Sequence, residues 1–395
     1  MVEQVGDAFP GIGADAAEYV DKKKYLWMLS VLWPAVPVIG LYLVSATGWG
    51  IWYGLLLIAW YIAVPLLDAV FGQDRSNPPE SRIETLEASH YYRLLPYLTV
   101  PVHYATTIIC AWWVATHNMN ALEFLALALS VGVVNGLAIN TGHELGHKQR
   151  KFDRWMAKLV LAVVGYGHFF VEHNKGHHRD VATPLDPATS HLGESIYAFS
   201  TREIPGAARR AWKLEEERLA RSGHSVWSLR NEIIQPMILT VILYTALTAA
   251  FGPLALLFLL VQMVYGWWQL TSANYIEHYG LLRQKLPNGR YERQQPRHSW
   301  NANHIASNLI LFHLQRHSDH HAHPTRSYQS LRDFPDLPSL PTGYPGMFFS
   351  ALVPPLFRAL MDRKALAWAD GDLGKLQIHP SMLKYYQRKF GKKAA

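Results

Sequence analysis

The stretch YLWMLSVLWPAVPVIGLYLVSATGWGIWYGLLLIAWYIAVPLLDAVF, residues 25–71, carries a single charged side chain, Asp68, within a chain of 395 residues. A helix needs about 20 apolar residues to cross a bilayer, so this stretch holds two crossings with a turn at Ala46-Thr47-Gly48. Outward from it the pattern repeats. Lys and Arg are absent from Tyr25 to Asp74, from Leu94 to His147 and from Asn231 to Leu282. The windows predict three helical hairpins, over 25–46 and 48–71, 94–116 and 121–143, and 232–250 and 253–276. Composition agrees: half of the residues are apolar and 17% are charged, against about 25% in an ordinary soluble domain.

The hairpin turns carry no Lys or Arg, and all 37 basic residues lie at the opposite ends. By the positive-inside rule both termini and both large polar segments face the cytoplasm, with Lys22-Lys23-Lys24 holding the first helix in that sense. The acidic, polar stretch before that triplet does not read as a cleavable signal. Tyr25, Trp49, Tyr92, Trp113, Trp267 and Trp268 lie near span ends, where they suit interfacial anchoring or plain lipid-facing bulk. The chain divides into 1–143 (N-terminal segment and four spans), 144–231 (a cytoplasmic segment), 232–278 (two spans) and 279–395 (a cytoplasmic tail). Leu159 to Val171 is too short an apolar run to span and predicts a buried or interfacial helix. Thr201 to Leu229 predicts a surface helix, and the proline-rich tail after Phe334 is expected to wrap.

The net charge of +7 is largely orientation signal and gives no reason to expect a nucleic acid. It leaves a basic cytoplasmic face for an acidic soluble protein. Cys110 is the only cysteine, which excludes a disulfide framework, a Cys-x-x-Cys site and an iron–sulfur cluster built from this chain. An electron carrier has to come from elsewhere.

Nine histidines stand out: His143 and His147 in HELGH, His173, His177 and His178 in EHNKGHH, His278 in NYIEHYG, and His317, His320 and His321 in QRHSDHH. Neutral imidazole is a common ligand for iron, zinc and copper, and nine exceed what one tetrahedral zinc can use. The count points to two metal ions. His143 and His147, like His173 and His177, stand at i and i+4, on one face of a helix. His178 and His321 point further round, so one helix can feed two neighbouring ions. HELGH alone also fits a zinc peptidase with Glu144 as general base. His278 alone would read as an interfacial hydrogen-bonding residue, but it closes the sixth span on the side of His143. His168, His304, His313 and His323 read as packing or supporting residues. Glu144, Glu172, Asp180, Asp186, Glu277 and Asp319 are candidate partners for ligand ring N–H groups or solvated cap residues. A metal transporter would need ionisable residues inside the spans, where Asp68 and His103 are too few. The fold expected is therefore an all-α integral membrane protein of six transmembrane helices in three hairpins, with a cytoplasmic His-rich cap carrying a dimetal site.

The blocks H-x3-H, H-x3-H-H and H-x2-H-H resemble the pattern of the membrane di-iron superfamily of desaturases, fatty-acid hydroxylases and alkane and xylene monooxygenases. HELGHK, EHNKGHHRDVATP, NYIEHYGL and LQRHSDHH are similar to those of the rubredoxin-dependent alkane 1-monooxygenases in particular; desaturases lack the NYIEHYG block. Lys175 stands where many relatives have Arg. The resemblance implies that all nine histidines ligate two non-haem iron ions. It implies an O2-dependent hydroxylation of the terminal methyl of medium-chain n-alkanes to 1-alkanols in a bacterial inner membrane. Electrons would come from NADH through a rubredoxin reductase and rubredoxin. It also gives Trp60, mid-span in the second helix, the position of a bulky residue limiting the substrate tunnel. An alkylbenzene side-chain hydroxylase, a fatty-acyl hydroxylase or a desaturase are the neighbouring readings.

Overall fold

The computed structural model describes residues 19–390; the reading of the extreme N-terminus as an uncleaved polar leader falls outside them, as do 391–395. Six helices are long and apolar enough to cross a membrane: α1 Met28–Thr47, α2 Gly50–Phe71, α3 His90–Thr116, α4 Ala121–Gly146, α7 Ile234–Phe251 and α8 Pro253–Glu277. Between them lie α5 Lys151–Val163 and α6 Ile196–Arg221, and the tail contributes α9 Tyr344–Ala351 and α10 Pro354–Trp368. The predicted hairpins are all present.

Local chemistry sets the turns. Gly48 (φ 72°) and Gly252 (φ 84°) end α1 and α7 in backbone conformations that side chains disfavour, and Pro253 starts α8 where its missing N–H costs nothing. Asn120 caps α4 by accepting the N–H groups of Leu122 and Glu123, while Glu123 accepts the N–H of Asn120 at 2.9 Å. In α2 the ladder widens into a π-turn over Ala59–Ala63, just before Pro65, which has no N–H to give to Tyr61. That turn carries Trp60.

α4 and α8 meet almost backbone to backbone. A Cβ on Gly132 would stand 3.0 Å from the carbonyl oxygen of Gln262, and one on Gly136 2.5 Å from Gln269 Cβ. Small residues four apart are the means by which helices approach in lipid, where water does not drive them together. Polar contacts add to the seam: Asn135 donates to Gln262 at 2.8 Å and to Thr107 at 3.0 Å, and Gln262 donates to Tyr244 at 2.8 Å. α3, α4, α7 and α8 are thereby joined at mid-membrane.

Several sequence expectations are corrected. The apolar run Leu159–Val171 belongs to two helices, because α5 stops at Val163 and the chain turns through Gly165 (φ 61°) before a new helix starts at Phe169. The helix expected over Thr201 to Leu229 runs from Ile196 to Arg221. It is no mere surface element, since Ile196, Phe199, Glu203, Ala207, Ala211, Glu215 and Leu219 form a buried stripe at helical spacing. Tyr92 and Trp113 face inward, donating to Asp21 (2.7 Å) and Tyr53 (3.2 Å), whereas Tyr25 and Trp49 stay exposed. Asp68 is partnered: it accepts the N–H of Ser307 at 2.9 Å and ties α2 to the tail.

Gly136→Ala is expected to cost about 1–3 kcal/mol through overpacking, read as a lower thermal midpoint in detergent. Gly54→Ala, whose Cβ would meet nothing nearer than Ala126 Cβ at 3.9 Å, should leave the midpoint in place.

Candidate metal centre

The nine histidines come together in two groups. His143, His147, His173, His178 and His320 form one, and His177, His278, His317 and His321 the other. In each group the ligand atoms lie within 4.8 Å of one another. His143 and His147 come from the last turn of α4, and His278 follows the last residue of α8. The close seam between these helices brings their ends to one place.

The middle histidines divide in a way that α-helical spacing does not foresee. His173–His177 is a π-helical turn in which the N–H of His178 bonds to the carbonyl of His173, five residues back. The wider turn aligns i with i+5, so His173 pairs with His178 and His177 is left for the other group. Along the helix His317–Ala322 the ordinary period holds: His317 and His321 share a group and His320 points into its neighbour.

The spacing of the nitrogens suits metal ions. His143 Nε2 stands 2.8 Å from His320 Nε2, and His178 Nε2 lies 3.0 Å from His173 Nε2 and 3.1 Å from His320 Nε2. In the second group His317 Nε2 is 3.2 Å from His278 Nε2 and 2.9 Å from His321 Nε2. Metal–nitrogen bonds of roughly 2.1 Å at right angles give an edge of roughly 3.0 Å. The donor sets therefore fit two imidazole-bound transition-metal ions. Burial, reinforced by the neighbouring rings, holds His147, His173, His178, His317, His320 and His321 well below the usual imidazole range, in the neutral form that binds metal. His177 is raised instead: burial opposes its charge, but the carboxylate of Asp186 prevails.

Two of the six acids singled out in the sequence reach the rings. Asp186 Oδ2 is 3.0 Å from His177 Nδ1, and Glu277 Oε2 lies 3.4 Å from His317 Nε2. Burial works against the charge of Asp186, yet His177 and Arg210 hold it well below the usual carboxylate range. Arg210 from α6 clamps Asp186 at 2.7 Å and also grips Glu172. Glu144 pairs with Lys148 at 3.0 Å and lines a separate hollow with Arg93 and Tyr97, so no general base faces the metal groups from HELGH. The remaining acids serve elsewhere: Asp180 meets Arg179, and Asp319 meets Arg326 and His323.

The four other histidines near the clusters pack or bond outside the two groups. His313 bonds the carbonyl of Tyr328, His304 sits near Asp68, His168 lies against Tyr166, and His323 pairs with Asp319. The support that sequence reasoning missed is the carbonyl of His298, which accepts from His278 Nδ1 at 3.1 Å. A main-chain acceptor leaves no signature in residue type.

A narrow cavity of about 50 Å³ leads from the histidine groups into the spans. Its inner end is formed by His143, His173, His317, Glu277 and Tyr344, and Trp60 and Phe348 line it together with apolar residues of α4 and α8. Trp60 is buried and packs at a tilt against Trp33 and Phe348.

Replacing Asp186 by Asn, which removes the charge behind His177, should weaken metal retention about 10–100-fold, measured by competition with a chelator. His321→Ala should halve the metal content by emptying the four-histidine group while the five-histidine group keeps its ion.

Comparison with known proteins agrees with this architecture. Residues 120–351 match the fatty acid desaturase family model. Alkane 1-monooxygenase 1 of Alcanivorax borkumensis is 70% identical over 395 residues, covering 100% of this chain and 98% of that protein. An alkane 1-monooxygenase of Acinetobacter baylyi is 39% identical over 378 residues, 94% of this chain and 92% of its own length. The xylene/toluene monooxygenase hydroxylase component of Pseudomonas putida is 27% identical, over 84% of this chain and 87% of its own. With this coverage, its six spans and its paired histidine groups, the chain belongs to the fatty acid desaturase family, on the branch of the alkane 1-monooxygenases.

Proposed function

We propose that this protein hydroxylates the terminal methyl of medium-chain n-alkanes to 1-alkanols, with O2 as oxidant and rubredoxin, reduced by an NADH-dependent reductase, as electron donor. The observation that carries this reading is a largely apolar cavity among the spans that ends against both histidine groups. All nine histidines, His143, His147, His173, His177, His178, His278, His317, His320 and His321, are taken as ligands of two iron ions. Bound there, iron would supply the reduction of O2 and the insertion of one oxygen atom into a C–H bond, chemistry that side chains alone lack. The balance is alkane + O2 + 2 e⁻ + 2 H⁺ → 1-alkanol + H2O.

The chain's own residues select and place the substrate. An alkane partitions into the bilayer, so a site at helix ends inside the membrane meets it where it is concentrated. The walls of the cavity are largely apolar and exclude water. Trp60 closes it to longer chains, with Phe348 beside it. Near the metals, burial and the facing carboxyl of Glu277 push the Tyr344 hydroxyl well above its usual value, so that it stays a donor. The basic ends of the hairpins support a reading in which both termini and the metal site face the cytoplasm from the bacterial inner membrane, within reach of a soluble donor.

The peptidase reading loses its general base, since Glu144 is paired with Lys148 away from the histidines. Among the oxygenase readings, assay decides: membranes supplied with reduced rubredoxin are expected to convert octane to 1-octanol faster than they oxidise a xylene methyl group. Faster xylene oxidation, or dehydrogenation of a fatty acyl chain, would sink the alkane assignment. Trp60→Ala should shift the preference toward longer alkanes. One methylene in an apolar pocket is worth about 1–3 kcal/mol, so relative kcat/KM for hexadecane over octane should rise by at least about tenfold.

A further inference from the structure

Each hydroxylation consumes two electrons, and the single cysteine, buried in α3, cannot build a thiolate-bound cluster. The electrons must cross from a separate one-electron carrier to buried histidines. Two hydrogen-bonded routes lead outward from the rings. From His177 the route runs to Asp186 and ends in the buried knot with Arg210 and Glu172. From His278 it runs to the main chain of His298, and His298 forms part of the wall of an open surface hollow of about 620 Å³. One hydrogen bond separates that hollow from the four-histidine group.

We propose that this hollow, between the loop 283–297 and α10, is the docking surface for an acidic one-electron carrier protein, and that electrons pass through His298 into the ring of His278. The inference rests on the oxygenase reading above, because it assumes a reaction that needs an external reductant. Charge selects the partner. The loop carries Arg283, Lys285, Arg290, Arg293 and Arg297 against one acid, Glu292. Arg283 is turned inward, donating to the carbonyls of Arg179 (2.8 Å) and Glu292 (2.7 Å), which pins the loop to the histidine cap. Arg297 is paired with Glu292. Lys285, Arg290 and Arg293 are exposed and, among the described residues, have no ion-pair partner.

Their placement is built in. Leu286 donates to the carbonyl of Arg290 at 2.8 Å, and Asn288-Gly289 turns the chain with φ 78° at the glycine. Lys285 and Tyr291 form an antiparallel bridge, with the amine over the ring at 5.5 Å. This fixed hairpin presents the cations beside an apolar floor of Leu281, Leu376 and Trp368, the last held by its Nε1–H to the Arg297 carbonyl at 3.2 Å. On the other rim Asp370 is neutralised by Lys375, and Asp336 is the remaining acid. A carrier with an apolar patch ringed by carboxylates over its redox centre complements this surface.

The test uses the full chain in lipid nanodiscs, with an acidic rubredoxin as probe. The triple variant Lys285→Glu, Arg290→Glu, Arg293→Glu is compared with wild type for binding of oxidised rubredoxin and for octane turnover with the reduced form. Kd and the KM for rubredoxin should rise by at least about tenfold at low salt and converge with wild type as salt screens the charges. Metal content and kcat at saturating carrier should not change. Kd and KM within twofold of wild type would overturn the proposal. A wild type that binds rubredoxin through the loop but makes no octanol would support the docking surface and sink the alkane reading instead.

Discussion

The contact between α4 and α8 is the constraint on which the metal centre depends. In lipid the two helices gain nothing from hiding apolar faces, so proximity has to come from shape and hydrogen bonding. Gly132, Gly136 and Gly266 supply the shape, since a Cβ on any of them would collide with the opposing helix or with Val164. Asn135 and Gln262 supply the bond, at 2.8 Å. The two helices end at the same level with His143 and His147 on one and His278 just past the other. Because α4 feeds one histidine group and α8 the other, the seam also sets how far apart the two histidine groups sit. The cap then closes on a frame already in register.

That cap solves an electrostatic problem. Metal ions bound by the two histidine groups would be cations held by imidazole rings in a buried site, where each buried charge needs a partner. The acids that orient the ligands lie close to them in the chain. Asp186 sits behind His177 and is shared with Arg210 from α6; Asp319, inside the last histidine block, takes Arg326 at 2.8 Å and the N–H of Arg332 at 2.9 Å. Glu172 lies one residue before His173 and is held by the same Arg210. A helix bearing ligands is thus oriented by ion pairs that do not touch the metal positions, which keeps the rings available for coordination.

How much of this was legible follows from the range of each cause. The spans were legible because exclusion of Lys and Arg from lipid acts on every residue of a window. The nine histidines were legible because three short blocks hold eight of them at helical spacing and His278 closes the sixth span beside them. Their division was not. The π-turn at His173–His177 moves His178 beside His173, and nothing in the string EHNKGHH announces five residues per closed turn. The glycine pair Gly132 and Gly136 stands in the sequence at the spacing that helix seams use, but its partner Gly266 is named only by the fold. Arg210, Tyr344 and the carbonyl of His298 reach the site from far along the chain, and their residue types are common on any cap. Trp60 was placed by resemblance, and its burial against Phe348 is a property of packing.

The cavity raises a final point about selectivity. Internal C–H bonds of an alkane are weaker than terminal ones, so an unconfined oxidant would attack the chain's middle. Terminal attack requires that geometry override bond strength. The structure offers the means: the inner end of the cavity is crowded by His143, His317, Glu277 and Tyr344, while the wall toward mid-membrane is apolar and stiffened by the Trp33–Trp60–Phe348 stack. α9 contributes at both levels, since Tyr344 and Phe348 stand one turn apart. On the proposed reading, a chain held straight between them would bring only its first carbon to the histidine groups. On the same reading, the helix that would limit length at one end also crowds the reacting end at the other, so that length selection and terminal attack would be two consequences of one wall.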